Sequence, residues 1–414
     1  MRTAISSVDD LGRLSSDARS RIGSVLGWRD LIGSVGGLLV VPSLHAPRLG
    51  VPAEAPLAAA AAVTRHGTSR STKDLIARRS LAALLRSGIG RSAFARIELG
   101  GREDGVLEQL QVALGRDLVA AVPLTPARAN RKPVLHLLDP HGDTVGFAKL
   151  GVSELTRQLV AREAQTLDEI EHVADAVRFT RVARVLVRGS WNGTNYVVFS
   201  PLPTWTGRTP SGQSLSRAMH EVSELRPPGA ADGRTYPEAL IDDLDQLLPR
   251  LDGPDLDAAM RTRAALVGLK RFAGDVAATS SWHGDWTAWN CCEVDGRIAV
   301  WDWERFEHGV PAGFDALHYA LQHEISDGRV PLATAAQRCV ADAPRVLQGW
   351  YPAAGGARVV AATYLAELTV RYLRDGQRGV GARGGDVSSW LVPSLERFVA
   401  SDCTARPTED QGCE

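Results

Sequence analysis

Three polar residues late in the chain are spaced to do chemistry. Asp285 lies in His283-Gly284-Asp285-Trp286-Thr287-Ala288-Trp289-Asn290, with Asn290 five residues on, and Asp302 follows a short hairpin in Val300-Trp301-Asp302-Trp303-Glu304. An amide oxygen and a carboxylate are hard ligands of the kind Mg2+ takes. A further carboxylate can orient a hydroxyl and accept its proton. Holding Mg-bound phosphates while aiming a hydroxyl at them requires such a set. Asn is scarce: only Asn130, Asn192, Asn195 and Asn290 occur in 414 residues, so its place after His-Gly-Asp is informative. His141-Gly142-Asp143 serves as an internal control, because the residue five places on is Ala148. Lying in Asp139-Pro140-His141-Gly142-Asp143 between apolar runs, it reads as a hairpin turn.

The spacing is similar to the H-R-D-x-x-x-x-N and D-F-G of protein kinases, with Gly284 for the Arg and Asp302-Trp303-Glu304 for D-F-G. That variant resembles the aminoglycoside phosphotransferase and choline kinase family of small-molecule kinases. The resemblance implies an α+β, protein-kinase-like two-lobe fold with an antiparallel-sheet N-lobe and a mainly helical C-lobe. It implies ATP and Mg2+ as cofactors, and transfer of the γ-phosphate to a hydroxyl of a small molecule. Asp285 would orient the acceptor and take its proton, Asn290 and Asp302 would hold Mg2+, His283 would brace the loop, and Glu304 would lie at the edge of the metal site. Asp315 matches a family Asp just after the metal loop, expected to cap the next helix or brace the catalytic loop. A regulated activation loop has no room: the helix-like run from Phe314 to Glu324 begins about a dozen residues after Asp302, with no A-P-E.

These residues need elements to position them. A kinase holds a strand Lys toward the phosphates with a Glu from the next helix. Phe147-Ala148-Lys149-Leu150 fits the strand, and Glu163 falls on a helical pattern from Val152 to Ala174. The chain has 47 basic residues, of which only Lys73, Lys132, Lys149 and Lys270 are Lys. A Lys in an apolar strand of an Arg-dominated chain points to a need for a compact charge. Strands are expected at 184–187 and 196–199. The second runs into Ser200-Pro201-Leu202-Pro203, which resembles the hinge whose backbone bonds adenine, so Ser200 and Leu202 are cofactor-binding candidates; the Pro residues would stiffen it. The loop expected to cover the phosphates, Thr125 to Lys132, has no Gly but carries Arg128, Arg131 and Lys132.

Residues 1–100 are expected as a basic α+β accessory segment of net charge +7, against −8 for the remainder. Within it, 37–42 should pair with 48–51, and helices should follow at 57–64 and 73–86. The nucleotide-binding lobe should span 101–202, the catalytic and acceptor-binding lobe 203–400, and a polar, frayed tail 401–414. Helices are expected at 215–225, 237–248, 256–278, 332–349, 359–374 and 387–399.

Composition excludes several classes. The five Cys form no C-x-x-C pair, the start has no signal-peptide core, and the apolar run from Ala55 to Val63 is too short to span a bilayer. A cytoplasmic protein with reduced thiols, no nucleic-acid module and no stable membrane insertion is expected. The acceptor stays open. Trp282, Trp286, Trp289, Trp301 and Trp303 could hold a cation or be core. The acidic stretches Asp242 to Asp245 and Asp252 to Asp257 could attract an aminocyclitol or be solvated. Rival readings are a catalytically silent kinase-like binding or scaffold protein, and a metal hydrolase built on His283 and Asp285.

Overall fold

In the computed structural model, residues 4–403 are described except 8, 13, 34–35, 68–71, 100–103, 127, 174–176, 226–234 and 276–279. Ala127 of the basic loop, the expected boundary at 100–101, the helix end at 278 and most of the polar tail lie outside the described residues. The chain forms two compact units, one of Met1–Leu215 with Trp289–Arg305, the other of Ser216–Ala288 with Phe306–Glu414.

The first unit is built on a nine-stranded sheet. Its strands are β1 (Ala4–Ile5), β2 (Leu38–Val41), β3 (Leu49–Pro52), β4 (Arg96–Ile97), β5 (Val119–Pro123), β6 (Val134–Leu138), β7 (Thr144–Gly151), β9 (Val185–Trp191) and β10 (Thr194–Phe199). They lie in the order β1-β4-β2-β3-β5-β6-β7-β10-β9. The β6–β7 connection is the His141-Gly142-Asp143 turn, as its flanking runs required. The first hundred residues differ from expectation: they do not stand apart as a separate segment, because β3 pairs antiparallel with β5 and carries β1, β2 and β4 into the same sheet. That pairing satisfies backbone groups which β5 would otherwise leave as an open edge.

The boundary at 202–203 also differs. β8 (Thr180–Arg181) pairs in parallel with β13 (Arg297–Val300), and β12 (Cys291–Val294) completes that three-stranded sheet. Arg208 and Glu293 exchange both backbone bonds at 2.9 Å. These long-range pairings bring 203–215 and 289–305 into the first unit.

The second unit holds β11 (Ser280–Trp282) against β14 (Glu307–Val310), surrounded by helices. Its centre is the helix Ala354–Asp375, apolar on nearly every face and therefore buried. The run expected as one helix over 332–349 breaks at Asp342 into Leu332–Ala341 and Ala343–Val346, because Pro344 offers no N–H to a continuing helix. The run from 256 is α-helical over Gly253–Leu269 and 3-10 over Lys270–Asp275. Among the described residues no helix is long and apolar enough to cross a membrane.

Candidate active site

In the first unit, Lys149 sits mid-sheet on β7, between Val134 of β6 and Val197 of β10. The next helix, Glu154–His172, starts at a capping box in which Ser153 and Thr156 satisfy each other's backbone N–H. It presents Glu163 to the sheet: Lys149 Nζ donates to Glu163 Oε2 at 2.6 Å and Oε1 at 2.7 Å, and also to the Asp302 carboxylate. Burial opposes the Lys149 charge, but Asp302, Glu163 and Glu304 outweigh it and hold the ammonium above its usual range. Burial, with Asp302 and Glu304 nearby, pushes Glu163 up to about 7 despite the pull of Lys149. The cluster is therefore acid-rich, poised for added positive charge.

The β12–β13 hairpin brings two of the expected metal ligands to one end. Cys291 pairs with Val300, and Trp301 N–H donates to Asn290 C=O at 3.1 Å, so Trp301 stands opposite Asn290 and Asp302 follows one residue on. Asp302 has φ of 68°, a left-handed conformation that Asp tolerates better than most residues. Its side chain keeps 35% of its surface, against 4% for Glu163. Asn290 and Asp302 are oxygen donors of the type Mg2+ uses when waters and phosphates fill its remaining positions, so the donor set fits that ion. Among the described residues there is no group of three His, Cys, Asp or Glu arranged to hold a metal.

Glu304, expected at the edge of the metal site, acts electrostatically on Lys149 and Glu163 and has partners of its own. Its side chain is 6% exposed, pairs with Lys132, and accepts from Asn130 Nδ2 at 3.3 Å. Both partners lie in the Gly-free loop between β5 and β6. Arg131 of that loop donates to Ser20 C=O at 3.1 Å and Arg21 C=O at 3.3 Å and lies 5.7 Å from the Trp28 ring. Arg21 in turn donates to Leu124 C=O at 2.8 Å. The N-terminal helix Ser16–Gly27 thus fixes a loop that lacks glycine.

In the segment expected to be the hinge, Ser200 N–H donates to Arg184 C=O and Ser200 Oγ accepts from Arg184 N–H, both at 2.8 Å. Pro201 and Pro203 carry no N–H, which leaves Leu202 as the backbone donor of that tripeptide. Ser200 to Pro203 border a cavity of about 590 Å3 shared with Ile170, Val177 and Arg297.

In the second unit, the loop after β11 carries His283 and Asp285. Gly284 has φ of 82°, a conformation open to Gly and strained for the Arg of H-R-D. Asp315 accepts from His283 N–H at 2.7 Å and Gly284 N–H at 3.1 Å. Of the two expectations for Asp315, bracing is what the structure shows; the following helix Phe314–Asp327 has Gly313 at its N-cap and no side-chain cap. Burial pushes Asp315 up to about 7 against those two donors. Asp285 N–H donates to His283 Nδ1 at 3.2 Å, within the same turn. From the central helix, Arg371 donates to Gly284 C=O at 2.5 Å, pairs with Glu367 and covers the Trp282 ring at 4.5 Å.

The Trp set is mostly core. Trp282, Trp286 and Trp303 are buried, and the Trp282 face already holds a cation, Arg371. The acidic stretches have internal partners: Asp243 with Arg374, Asp245 with Arg263, Asp255 with Arg378 and Asp257 with Arg261. Sequence reasoning missed Arg371 and His318. His318 lies three residues after Asp315, on the same helical face, a spacing that could have revealed it. Arg371 is 87 residues from Gly284 and left no local signal.

No family model matches the sequence, and no curated protein does. Solved structures do match. A thermostable mutant of the aminoglycoside phosphotransferase APH(4)-Ia shares 15% identity and a TM-score of 0.48, covering 72% of this chain and 99% of that one. A choline kinase from Streptococcus pneumoniae shares 14% at 0.46, covering 72% and 98%. A putative fructosamine-3-kinase from Haemophilus somnus 129PT shares 13% at 0.40, covering 72% and 96%.

Proposed function

We propose that this protein is an ATP-dependent phosphotransferase acting on a hydroxyl of a small molecule, such as an aminoglycoside, amino alcohol or sugar. The observation that carries the reading is the buried Lys149–Glu163 pair joined to Asp302, at the end of the hairpin that also bears Asn290. Phosphoryl transfer asks a protein mainly for positioning and charge neutralisation. Lys149 would contact the nucleotide phosphates, held by Glu163. Asn290 and Asp302 would hold Mg2+, which neutralises charge on the β- and γ-phosphates when bound. Ser200 C=O and Leu202 N–H would hydrogen-bond adenine. Lys132 would face the phosphates from the loop tied to Glu304.

Asp285 lies five residues before Asn290 and keeps 37% of its side-chain surface exposed, enough to receive a hydroxyl. It would take that proton as the acceptor oxygen bonds to the γ-phosphorus and the bond to the bridging β,γ-oxygen breaks, releasing ADP. A silent scaffold would have no use for this base.

The test is ADP formation from Mg-ATP across a panel of aminoglycosides, amino alcohols, sugars and nucleosides, with Asp285→Ala and Asp302→Ala alongside. Acceptor-dependent ADP release, lost in Asp285→Ala, is expected, and Asp302→Ala should also lose Mg-dependent nucleotide binding. Wild-type protein that binds no nucleotide would overturn the reading. Tight Mg-ATP binding without turnover on any acceptor would favour the silent scaffold.

A further inference from the structure

Behind Asp285 runs a buried chain of hydrogen bonds that the phosphotransfer reading does not use. His318 Nε2 lies 3.2 Å from Asp285 Oδ1, and His318 Nδ1 lies 2.9 Å from Tyr364 Oη. His318 comes from the helix Phe314–Asp327 and Tyr364 from the middle of Ala354–Asp375. Tyr364 is fully buried and His318 is 2% exposed.

The proton positions follow from chemistry. Burial raises the Tyr364 hydroxyl well above its ordinary range, so it stays a phenol. A phenol facing an imidazole nitrogen donates to it, and Nδ1 must then be the acceptor. The ring proton is left on Nε2, which donates to Asp285 Oδ1. The surroundings keep the ring neutral. Burial lowers the His318 pKa first, Asp285 pulls the other way, and Arg371 adds to the lowering. Trp282 meets the ring edge-on at 6.4 Å, Asp315 follows the helix one turn back, and Glu367 is paired to Arg371.

We propose that His318, locked by Tyr364 as the neutral Nε2–H tautomer, is a positioning residue for the catalytic base, a role that rests on the phosphotransfer reading. The neutral ring orients the Asp285 carboxylate through Oδ1 without supplying a full positive charge. An imidazolium in that place would pair with Asp285 and weaken it as a base. Tyr364 acts one bond further back, by denying Nδ1 a proton.

The experiment uses full-length protein labelled with 15N-histidine, with the His318 ring signals assigned by their loss in His318→Gln. Long-range 1H–15N spectra of the wild type should show a neutral ring protonated at Nε2 at neutral pH. In Tyr364→Phe the ring should gain its second proton at a pH about one unit higher. With an acceptor from the panel, His318→Leu should lower kcat about 10–100-fold with KM for ATP unchanged, by analogy with loss of other outer-shell partners. His318→Gln, which keeps an N–H donor and an acceptor, should recover most of it. An Nδ1–H or doubly protonated ring in the wild type overturns the proposal, as does equal loss in the Leu and Gln variants, or KM for ATP rising as kcat falls. If the wild type transfers phosphate to no acceptor, the functional reading falls and takes this role with it. If transfer stands and the signature is missing, only the role of His318 falls.

Discussion

Lys132 and Glu304 are ion-paired in the interior of the first unit, with side chains 9% and 6% exposed. Together with Lys149 and Asp302, this gives each carboxylate of Asp302-Trp303-Glu304 its own lysine, in a chain with only four. Lysine suits such places because its compact ammonium can move between a carboxylate and a phosphate, whereas a guanidinium fork demands a planar partner.

Removing one member of that pair leaves a buried charge without its counter-ion. Lys132→Met is expected to destabilise the protein by about 3–5 kcal/mol, and the double variant Lys132→Met/Glu304→Met to recover most of the loss. Urea unfolding of the two variants checks this; equal destabilisation would show that the pair is not what Glu304 depends on.

Lys149→Arg keeps the charge but changes its shape. The guanidinium cannot occupy the point between Glu163 and Asp302 that the ammonium fills. The expected outcome is loss of Mg-ATP affinity nearly as severe as in Lys149→Met, with transition-state stabilisation falling by about 3–4 kcal/mol in both. Calorimetric titration with Mg-ATP, followed by kcat/KM, measures it.

Asp315→Ala strips the acceptor from two buried N–H groups, those of His283 and Gly284. Each orphaned donor costs about 1–3 kcal/mol. The melting temperature should drop and acceptor-dependent turnover should fall further than in a surface control, because the braced loop carries Asp285.

His136 provides the pH test. It is 2% exposed, stacked on Phe147 at 4.6 Å and hydrogen-bonded to Thr144 Oγ1 at 2.9 Å. Burial lowers its pKa to about 3, with His66 and Arg65 adding to the effect. The unfolded chain binds a proton there near 6.5 and the folded chain does not. The neutral ring therefore contributes stability that is full above 6.5 and is lost as pH falls toward 3, about 1.4 kcal/mol per unit of separation. His136→Phe should flatten the acid side of the stability curve measured by urea unfolding from pH 7 to pH 4.

Much of the site could be read in one dimension because its parts are close in sequence or rare in composition. The Asp285–Asn290 spacing and the hairpin leading to Asp302 are covalent distances. Lys149 stood out as a lysine among arginines, and the Ser153–Thr156 capping box marks the start of the helix that delivers Glu163. The paired strands β2 and β3, the turn at His141-Gly142-Asp143 and most helices rest on local periodicity and turn chemistry, which need no tertiary partner to be recognised.

What the sequence by itself determined was this set of local elements and the residue types and spacings on which the phosphotransfer proposal rests. The tertiary structure alone decided which distant groups meet: β3 with β5, Arg131 with the N-terminal helix, Lys132 with Glu304, Arg371 with Gly284, and His318 with Asp285 and Tyr364. It also turned Trp282, Trp286 and Trp303 from a candidate binding face into core. The reason is that each of these contacts is bought by burial of surface from elsewhere in the chain, and neither residue spacing nor periodicity records which surfaces those are.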